Sequence, residues 1–511
     1  MSEKTHADKT SHSLVRLVRC LLKLTAERFH MRKLLCLTLA SLLSPSLALA
    51  QPPIKIGDAV VTSSLRSRMY SWDWFGDTPN GEYTYSGSLL RFGVTESKPK
   101  FDWQVEFAVP ALVNMPSTAV MPAPLGQLGL GASYAAANAG SSSTSSIFLK
   151  QGAFRVKGIG GFAGQSLKVG RMEFIDGSEL APGHSTLAAL KRDRIAQRLL
   201  ANFGFTDVQR SLDGAHYVFD TPKLNVTAVA ARPTEGVFQV DGWNELKINV
   251  FYGAVTGEHG KYAATDWRVF ALNYRDYRSG VVKTDNRAAA IRNTDFDAIN
   301  VGTYGGHVLQ IVPTAAGPVD LLFWGALQNG SWGTQSHRAG AFAAEAGWQP
   351  AVLPKIKPWI RAGYDVGSGD DNAADGKHGT FFQVLPTPRI YARTPFFNMM
   401  NSKDAFGELV LRPKRVTIRS DIHVLRLADA SDLWYSGGGA FQAATFGYTG
   451  RPANGQSTLG TLYDISADVT LTPHIGVGGY FGYAAGGLVT QAIYGGGNAV
   501  HLGFFELNLK F

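Results

Sequence analysis

After position 50 the chain contains no run of eighteen apolar residues, yet short segment after short segment alternates apolar with polar side chains. That period of two belongs to strands, whose successive side chains point to opposite faces. Phe101, Trp103, Val105, Phe107 and Val109 share one face, with Asp102, Gln104 and Glu106 on the other. Leu459, Tyr463, Ile465, Ala467, Val469 and Leu471 likewise oppose Asp464, Ser466, Asp468 and Thr470, and Val416, Ile418, Ile422 and Val424 oppose Thr417, Arg419, Asp421 and His423. Ile360, Ala362 and Tyr364 oppose Lys357, Arg361 and Asp365. A membrane-spanning helix needs about 20 apolar residues, so none is expected here. A soluble antiparallel sheet would alternate in the same way, which leaves the environment of the strands to be decided by other features.

Export is the first of them. Residues 31–50, MRKLLCLTLASLLSPSLALA, place Arg32 and Lys33 before the apolar stretch Leu34 to Leu43 and end on Ala48-Leu49-Ala50, the three parts of a signal peptide in order. Cleavage is expected after Ala50, with Met31 the true start and residues 1–30 a misassigned or disordered extension. Both cysteines, Cys20 and Cys36, fall in these first fifty residues, so the remainder offers neither disulfides nor thiolate metal ligands. Cys36 lies within the apolar stretch and lacks the small residues that precede a lipidated cysteine. Charged residues make up only 17% of the chain, below the roughly one quarter usual in soluble domains. Without the first fifty residues the net charge falls from +9 to +4, which removes the main support for nucleic-acid binding.

The last strand points to a membrane. Phe505, Leu507, Leu509 and Phe511 share a face against Glu506, Asn508 and Lys510, and a final aromatic strand in an exported chain looks like the assembly signal of bacterial outer-membrane barrels. Within lipid a closed barrel pairs every backbone group, which an open sheet cannot do. Strands are expected near 59–74, 83–94, 101–109, 147–157, 166–174, 208–219, 223–231, 245–257, 264–275, 298–311, 317–328, 335–348, 356–366, 405–412, 415–427, 458–471, 475–484 and 499–511. The fold class is therefore all-β: a transmembrane antiparallel barrel of about 18 strands filling residues 51–511. Residues 194–205 would make a nineteenth strand, but counting them as loop places the tight turns at 221–223, 413–414 and 472–474 at the periplasmic end. Leu187, Leu190, Ile195, Leu199 and Leu200 suit a short helix, so 175–207 is expected to be a partly helical extracellular loop. Two more long loops fall at 110–146, either a surface loop or a flap over the mouth, and at 367–404. Tyr70, Trp72, Trp74, Trp267, Trp359, Trp434 and Tyr435 are expected at the membrane interfaces.

A barrel this wide leaves an aqueous channel unless something fills it. Arg66, Arg68, Arg91, Arg155, Arg361 and Arg419 lie opposite mainly apolar faces, so they are expected inside with Asp102, Glu106, Asp421, Asp464 and Asp468. Lys191, Arg192, Arg194 and Arg198, flanked by Arg171 and Arg210, would ring a constriction and favour anions if their loop folded inward. Gly158, Gly160 and Ala163 have no helix after them and make no dinucleotide site, no HExxH pairing of histidines occurs, and no nucleophile elbow is present. The acidic run Asp365, Asp370, Asp371, Asn372 and Asp375 offers hard oxygen ligands but lacks EF-hand order, so it reads as a solvated hairpin loop rather than a metal site. No cofactor is expected.

Several blocks then carry a resemblance. GRMEFIDGSE at 170–179, LKRDRIAQRLLANFGFT at 190–206, RSLDG at 210–214, HRAGAFAAEAGW at 337–348, RAGYDVGSGDDNAADGKHGTFFQVLPT at 361–387 and DLWYSGGGAF at 432–441 are similar to the alginate export porin family. The resemblance implies an outer-membrane barrel whose arginine-rich pore conducts an anionic uronate polysaccharide outward, and Arg171, Arg194, Arg198, Arg210 and Arg361 match arginines of the family's blocks.

The reading that results is a non-enzymatic outer-membrane channel for an alginate-like polyuronate or a related organic anion. Its partners would be that solute, outer-membrane lipid, the barrel-assembly machinery and a periplasmic export scaffold, with no nucleic acid. A barrel enzyme acting on lipid or polysaccharide, and a plugged structural or adhesive barrel, are the alternatives. N-terminal sequencing of the exported protein is expected to begin at Gln51; a mature chain that begins at Met1 or Met31 would contradict the leader.

Overall fold

The computed structural model describes residues 54–511 except 77, 260–263, 389–392, 395–397 and 496–497. The expected leader, its extension and its cleavage site lie outside the described residues. Among the described residues eighteen long strands form one antiparallel ring. They are β1 Ala59–Asp73, β2 Glu82–Ser97, β3 Phe101–Val113, β4 Phe148–Lys157, β5 Gln165–Met172, β6 Leu212–Asp220, β7 Leu224–Pro233, β8 Ile248–His259 and β9 Thr265–Asp276. The circuit continues through β10 Ile299–Val312, β11 Val319–Trp332, β12 Gln335–Trp348, β13 Trp359–Gly367, β14 Ser402–Leu411, β15 Val416–Arg426, β16 Thr458–Thr470, β17 Ile475–Gly486 and β18 Ala499–Lys510. Each strand pairs with the next along the chain, and β18 returns to β1 from Ser64↔Lys510 to Asp73↔His501. All eighteen expected strands are present, with ends displaced by four residues at most.

The alternation has the expected physical origin. On β11, Leu321, Phe323 and Leu327 are exposed on the outer face at 45%, 55% and 71%, while Asp320, Leu322 and Trp324 are buried inside. Phe251, Val269, Tyr304, Ile360 and Ile465 continue this apolar outer surface on other strands, as hydrocarbon contact requires. Leu459 departs from its expected outer face. A bulge between Leu425 and Arg426 of β15 shifts the register against β16, and Leu459 turns inward and is buried. The expected aromatic girdle is also corrected: Tyr70, Trp72, Trp74, Trp359, Trp434 and Tyr435 are all buried, leaving Trp267 half-buried beside exposed Val269. Strand parity explains three of these, because Tyr70 and Trp72 share the inward face of β1 with Arg68, and Trp359 that of β13 with Arg361; Trp74 follows just beyond the end of β1, and Trp434 and Tyr435 lie on a hairpin that the alternation did not reveal.

Connections at one end are short, among them 98–100, 221–223, 412–415 and 471–474, while those at the other include 114–147, 173–211, 368–401 and 427–457. This asymmetry puts the short turns in the periplasm and the long loops outside. The loops fold into the barrel rather than away from it. Within 114–147 the helix Leu130–Ala137 buries Leu130, Ala132, Tyr134 and Ala135. Within 427–457 the hairpin Leu433–Gly437 with Tyr448–Pro452 carries Trp434 and Tyr435 into the interior. The interior is thus a packed core, in which Tyr70 and Tyr85 stack with centroids 4.5 Å apart. Replacing outer-face Phe323 with Arg is expected to cost about 2–4 kcal/mol, read from urea unfolding of the barrel in lipid vesicles; a cost near zero would mean that this face does not meet hydrocarbon.

Candidate functional site

The segment between β5 and β6, residues 173–211, crosses the lumen. It forms a short helix at Ser185–Leu190 continued by a wider turn at Lys191–Ile195. Leu187, Leu190, Ile195, Leu199 and Leu200 are all buried in the core, so the apolar spacing was that of an element packed inside the barrel. Its backbone pairs with another loop rather than with the wall: Leu385 N donates to Leu199 O at 2.7 Å and Ala201 N to Leu385 O at 2.8 Å. Residues 194–205 are therefore no nineteenth strand.

Charged side chains fasten this segment to opposite sides of the ring. Glu173 meets Arg91 of β2 at 2.8 Å and Lys150 of β4 at 3.2 Å. Asp176 accepts from Leu199 N at 3.2 Å and Leu200 N at 3.0 Å and meets Arg268 of β9 at 3.5 Å; burial pushes its carboxyl pKa up against the pull of that guanidinium. Lys191 reaches Asp266 of β9 at 2.8 Å, and burial lowers its pKa. The densest anchor is Glu345 of β12, fully buried, which receives Arg194 at 2.9 Å, Arg198 at 3.3 Å and Arg361 of β13 at 2.8 Å. Asp365 lies 4.0 Å from Arg194 and 3.9 Å from Arg198, and Arg361 also bonds Asp320 and lies 3.7 Å from Glu408. Burying a guanidinium without a partner is costly, and Arg194, Arg198, Arg268 and Arg361 each meet an acid.

The structure separates the candidate cations by what they touch. Arg66 and Arg68 point inward, but they hold the carbonyls of Gly204 and Phe205 and flank Asp207. Arg91 bonds Glu106 as well as Glu173, and Arg155 pairs with Asp102, which also meets Lys157 at 2.7 Å. Arg210 is buried and donates to the carbonyls of Ala440 at 2.9 Å and Gly438; burial lowers its pKa, and it stitches loops together. Lys191, Arg194, Arg198 and Arg361 are buried in ion pairs and do not present a free cationic ring at the constriction. Arg171 is on the other face from the one expected: it shares parity with Val169, 51% exposed, pairs with Asp213 at 2.6 Å and donates to Gly242 O and Trp243 O at the rim.

Between this segment and β13–β17 lies a cavity of about 540 Å³, lined by Arg192, Arg393, Arg412 and Arg419, by Asp193, Asp421, Asp464 and Asp468, and by Phe205, Trp359 and Tyr480. Arg192 presents most of its side chain, 71% exposed, with Asp193 as its neighbour at 2.6 Å. Arg419 bridges Asp193 at 3.2 Å and Glu408 at 2.8 Å while keeping 23% of its side chain exposed. Arg412 and Arg393 were not singled out from the sequence, because one ends a strand and the other sits in a loop, where parity says nothing. Glu345 was also missed, although an acid on the inner face of HRAGAFAAEAGW was a legible signal.

The acidic run does not form a cage. Asp370 closes a turn by accepting from Asn372 N at 3.1 Å, and Asp375 is spent on Lys377 N at 2.9 Å and Lys377 Nζ at 3.0 Å; Asp371 is exposed. Among the described residues the carboxylates and imidazole that do converge are Asp421, His423 and Asp464. Replacing Glu345 with Gln is expected to cost about 3–5 kcal/mol, the penalty for stripping a partner from buried charges, read as a lower urea midpoint and faster proteolysis within 173–211. An unchanged midpoint would show that the cluster does not hold the segment.

Comparison with solved structures finds the same architecture. OccK9 (OpdG) of Pseudomonas aeruginosa aligns with a TM-score of 0.51 at 10% identity, covering 89% of this chain and 99% of that one. OccAB2 of Acinetobacter baumannii aligns at 0.55 and 8% identity, covering 88% and 98%. OpdK of Pseudomonas aeruginosa, solved with vanillate, aligns at 0.50 and 8% identity, again covering 88% and 98%. At such identities the likeness is one of fold. No curated protein matches the chain in sequence. The model of the family described as alginate export matches residues 144–486, more than half of the chain, and with the closed apolar-faced ring this makes the protein an outer-membrane β-barrel of the alginate export family.

Proposed function

We propose that the barrel passes an anionic carbohydrate, an alginate-like polyuronate, or a related organic anion through the cavity beside residues 173–211. One observation carries this reading: Arg192, Arg393, Arg412 and Arg419 gather around that cavity, whereas Arg194, Arg198 and Arg361 are consumed by Glu345. Guanidinium groups present planar donor pairs that match carboxylates, and several moderate contacts in series let an anion enter and leave. Phe205, Trp359 and Tyr480 add apolar ring surface suited to the C–H faces of a sugar. Vanillate, present in the OpdK structure, is an organic carboxylate of the same charge class. On this reading the transport is passive and the wall performs no catalysis. Outer-membrane lipid covers the apolar face, the barrel-assembly machinery inserts the chain, and a periplasmic scaffold delivers a polymer.

A plugged, non-conducting barrel is the second reading. The observation that favours it is the set of buried ion pairs that fasten 173–211 across the lumen.

Planar-bilayer recording decides between them. The purified barrel is expected to carry an anion-selective current that polyuronate fragments reduce. Arg192→Ala and Arg412→Ala should each lower the anion preference by roughly twofold to fivefold, the factor that about 1 kcal/mol of water-screened attraction is worth. Absence of current under every condition would overturn the channel and favour the plug, while unaltered selectivity in both variants would remove the cavity from the path.

A further inference from the structure

Four aspartates line the cavity beside its four arginines. Asp421 of β15 and Asp464 of β16 sit directly opposite each other in the antiparallel register, where like charges destabilise a sheet. His423 lies two residues along β15 on the same inward face. One ligand atom from each of the three lies within 4.8 Å of the others, and all three residues are buried: Asp421 is 8% exposed, Asp464 6% and His423 0%. Among the described residues three atoms of this trio have no hydrogen-bond partner: Asp421 Oδ1, Asp464 Oδ2 and His423 Nε2. Buried polar atoms are rarely left orphaned, and here three gather in one place.

The surrounding groups orient these ligands. His423 Nδ1 is 2.7 Å from Asp404 Oδ2, and a carboxylate on the far nitrogen of an imidazole fixes the tautomer that directs Nε2 towards a metal. The Tyr480 hydroxyl donates to Asp464 Oδ1 and is 3.0 Å from Thr394 Oγ1, leaving Asp464 Oδ2 as the oxygen without a hydrogen-bond partner. Glycine at 482 leaves room for this hydrogen-bonded group, since a Cβ there would come within 2.5 Å of Tyr480 Oη and Thr394 Oγ1 and 2.6 Å of Asp464 Oδ1. Asp421 and Asp464 also line the cavity of about 540 Å³, so coordination positions beyond the three protein atoms would open onto it.

We propose that Asp421, His423 and Asp464 form a site for one divalent transition cation of the zinc class on the inner wall of the barrel. An imidazole with two carboxylates suits zinc and its neighbours rather than calcium or magnesium, which favour oxygen alone. Small side-chain rotations close the spacing to the roughly 3.3 Å that tetrahedral bonds of about 2.0 Å impose. A bound dication would offset the negative charge of Asp404, Asp421 and Asp464 and offer its open positions to a passing carboxylate. That last consequence rests on the proposed anion passage; binding of the ion does not.

The test is a titration of the intact, folded barrel in detergent with Zn²⁺, monitored calorimetrically, with a crystal soaked in Zn²⁺ and measured at the zinc edge. One equivalent and an anomalous peak between the three side chains are expected. His423→Gln and Asp464→Asn should each weaken binding at least tenfold, and Asp404→Asn by tenfold or more through loss of the orienting bond. Absence of the peak in the wild-type barrel, or equal affinity in folded His423→Gln, would overturn the site; should the variants fail to fold, the wild-type peak alone decides. Anion current measured with and without Zn²⁺ is a separate arm: binding without a change in current keeps the site and removes its link to transport.

Discussion

Hydrocarbon offers no water to a backbone N–H or C=O, and this single constraint organises the molecule. A chain without a long apolar run can cross only by pairing every backbone group between strands, and only a closed ring does so without an edge. The pairing of β18 with β1 from Ser64↔Lys510 to Asp73↔His501 is what turns seventeen hairpin-like contacts into a wall. From that closure follow the greasy outer face of Phe323 and Leu327 and the inward direction of every alternate side chain.

Closure at this size creates a second problem, because a ring of eighteen strands encloses more space than its own side chains can fill. The protein fills it with its long outer loops. Residues 173–211 contribute an apolar face through Leu187, Leu190 and Leu199, and they carry charges that meet inward charges of the wall. Glu345 illustrates the economy of the arrangement: one carboxylate accepts two arginines of the segment and one of the wall, and so joins the loop to the ring while leaving no guanidinium orphaned. Where the matching stops, on the side of β13–β17, a cavity remains with arginines and acids turned towards it. The proposed passage and the proposed cation site both occupy that unmatched region.

The wall was legible because strand parity is a local property: each short segment states which residues share a face. The interior was legible only in part. Parity located Arg66, Arg68, Arg361 and Arg419 on the inner face, but direction is not freedom. Arg361 is locked between Glu345 and Asp320 whereas Arg419 keeps a face on the cavity, and only three-dimensional proximity separates the two. Arg192 and Arg194, two residues apart, diverge for the same reason, since about half a turn of helix aims them at water and at Glu345 respectively. Trp434 and Tyr435 lie on a loop hairpin that alternation in the wall could not reveal, and Arg171 was assigned to the lumen as a flank of the charged loop 191–198 when its parity with Val169 pointed outward.

The account turns on whether solute passes beside residues 173–211 while that segment stays in place. A Cβ at Gly87 of β2 would lie 3.1 Å from the Cβ of Asp207, close to the separation of about 3.8 Å in a disulfide, and the sequence holds no cysteine after Cys36. Single-channel recording of the Gly87→Cys, Asp207→Cys barrel, oxidised and then reduced, measures this directly. The account predicts the same anion-selective current in both states; a current that appears only after reduction would contradict it and make the segment a plug that must leave.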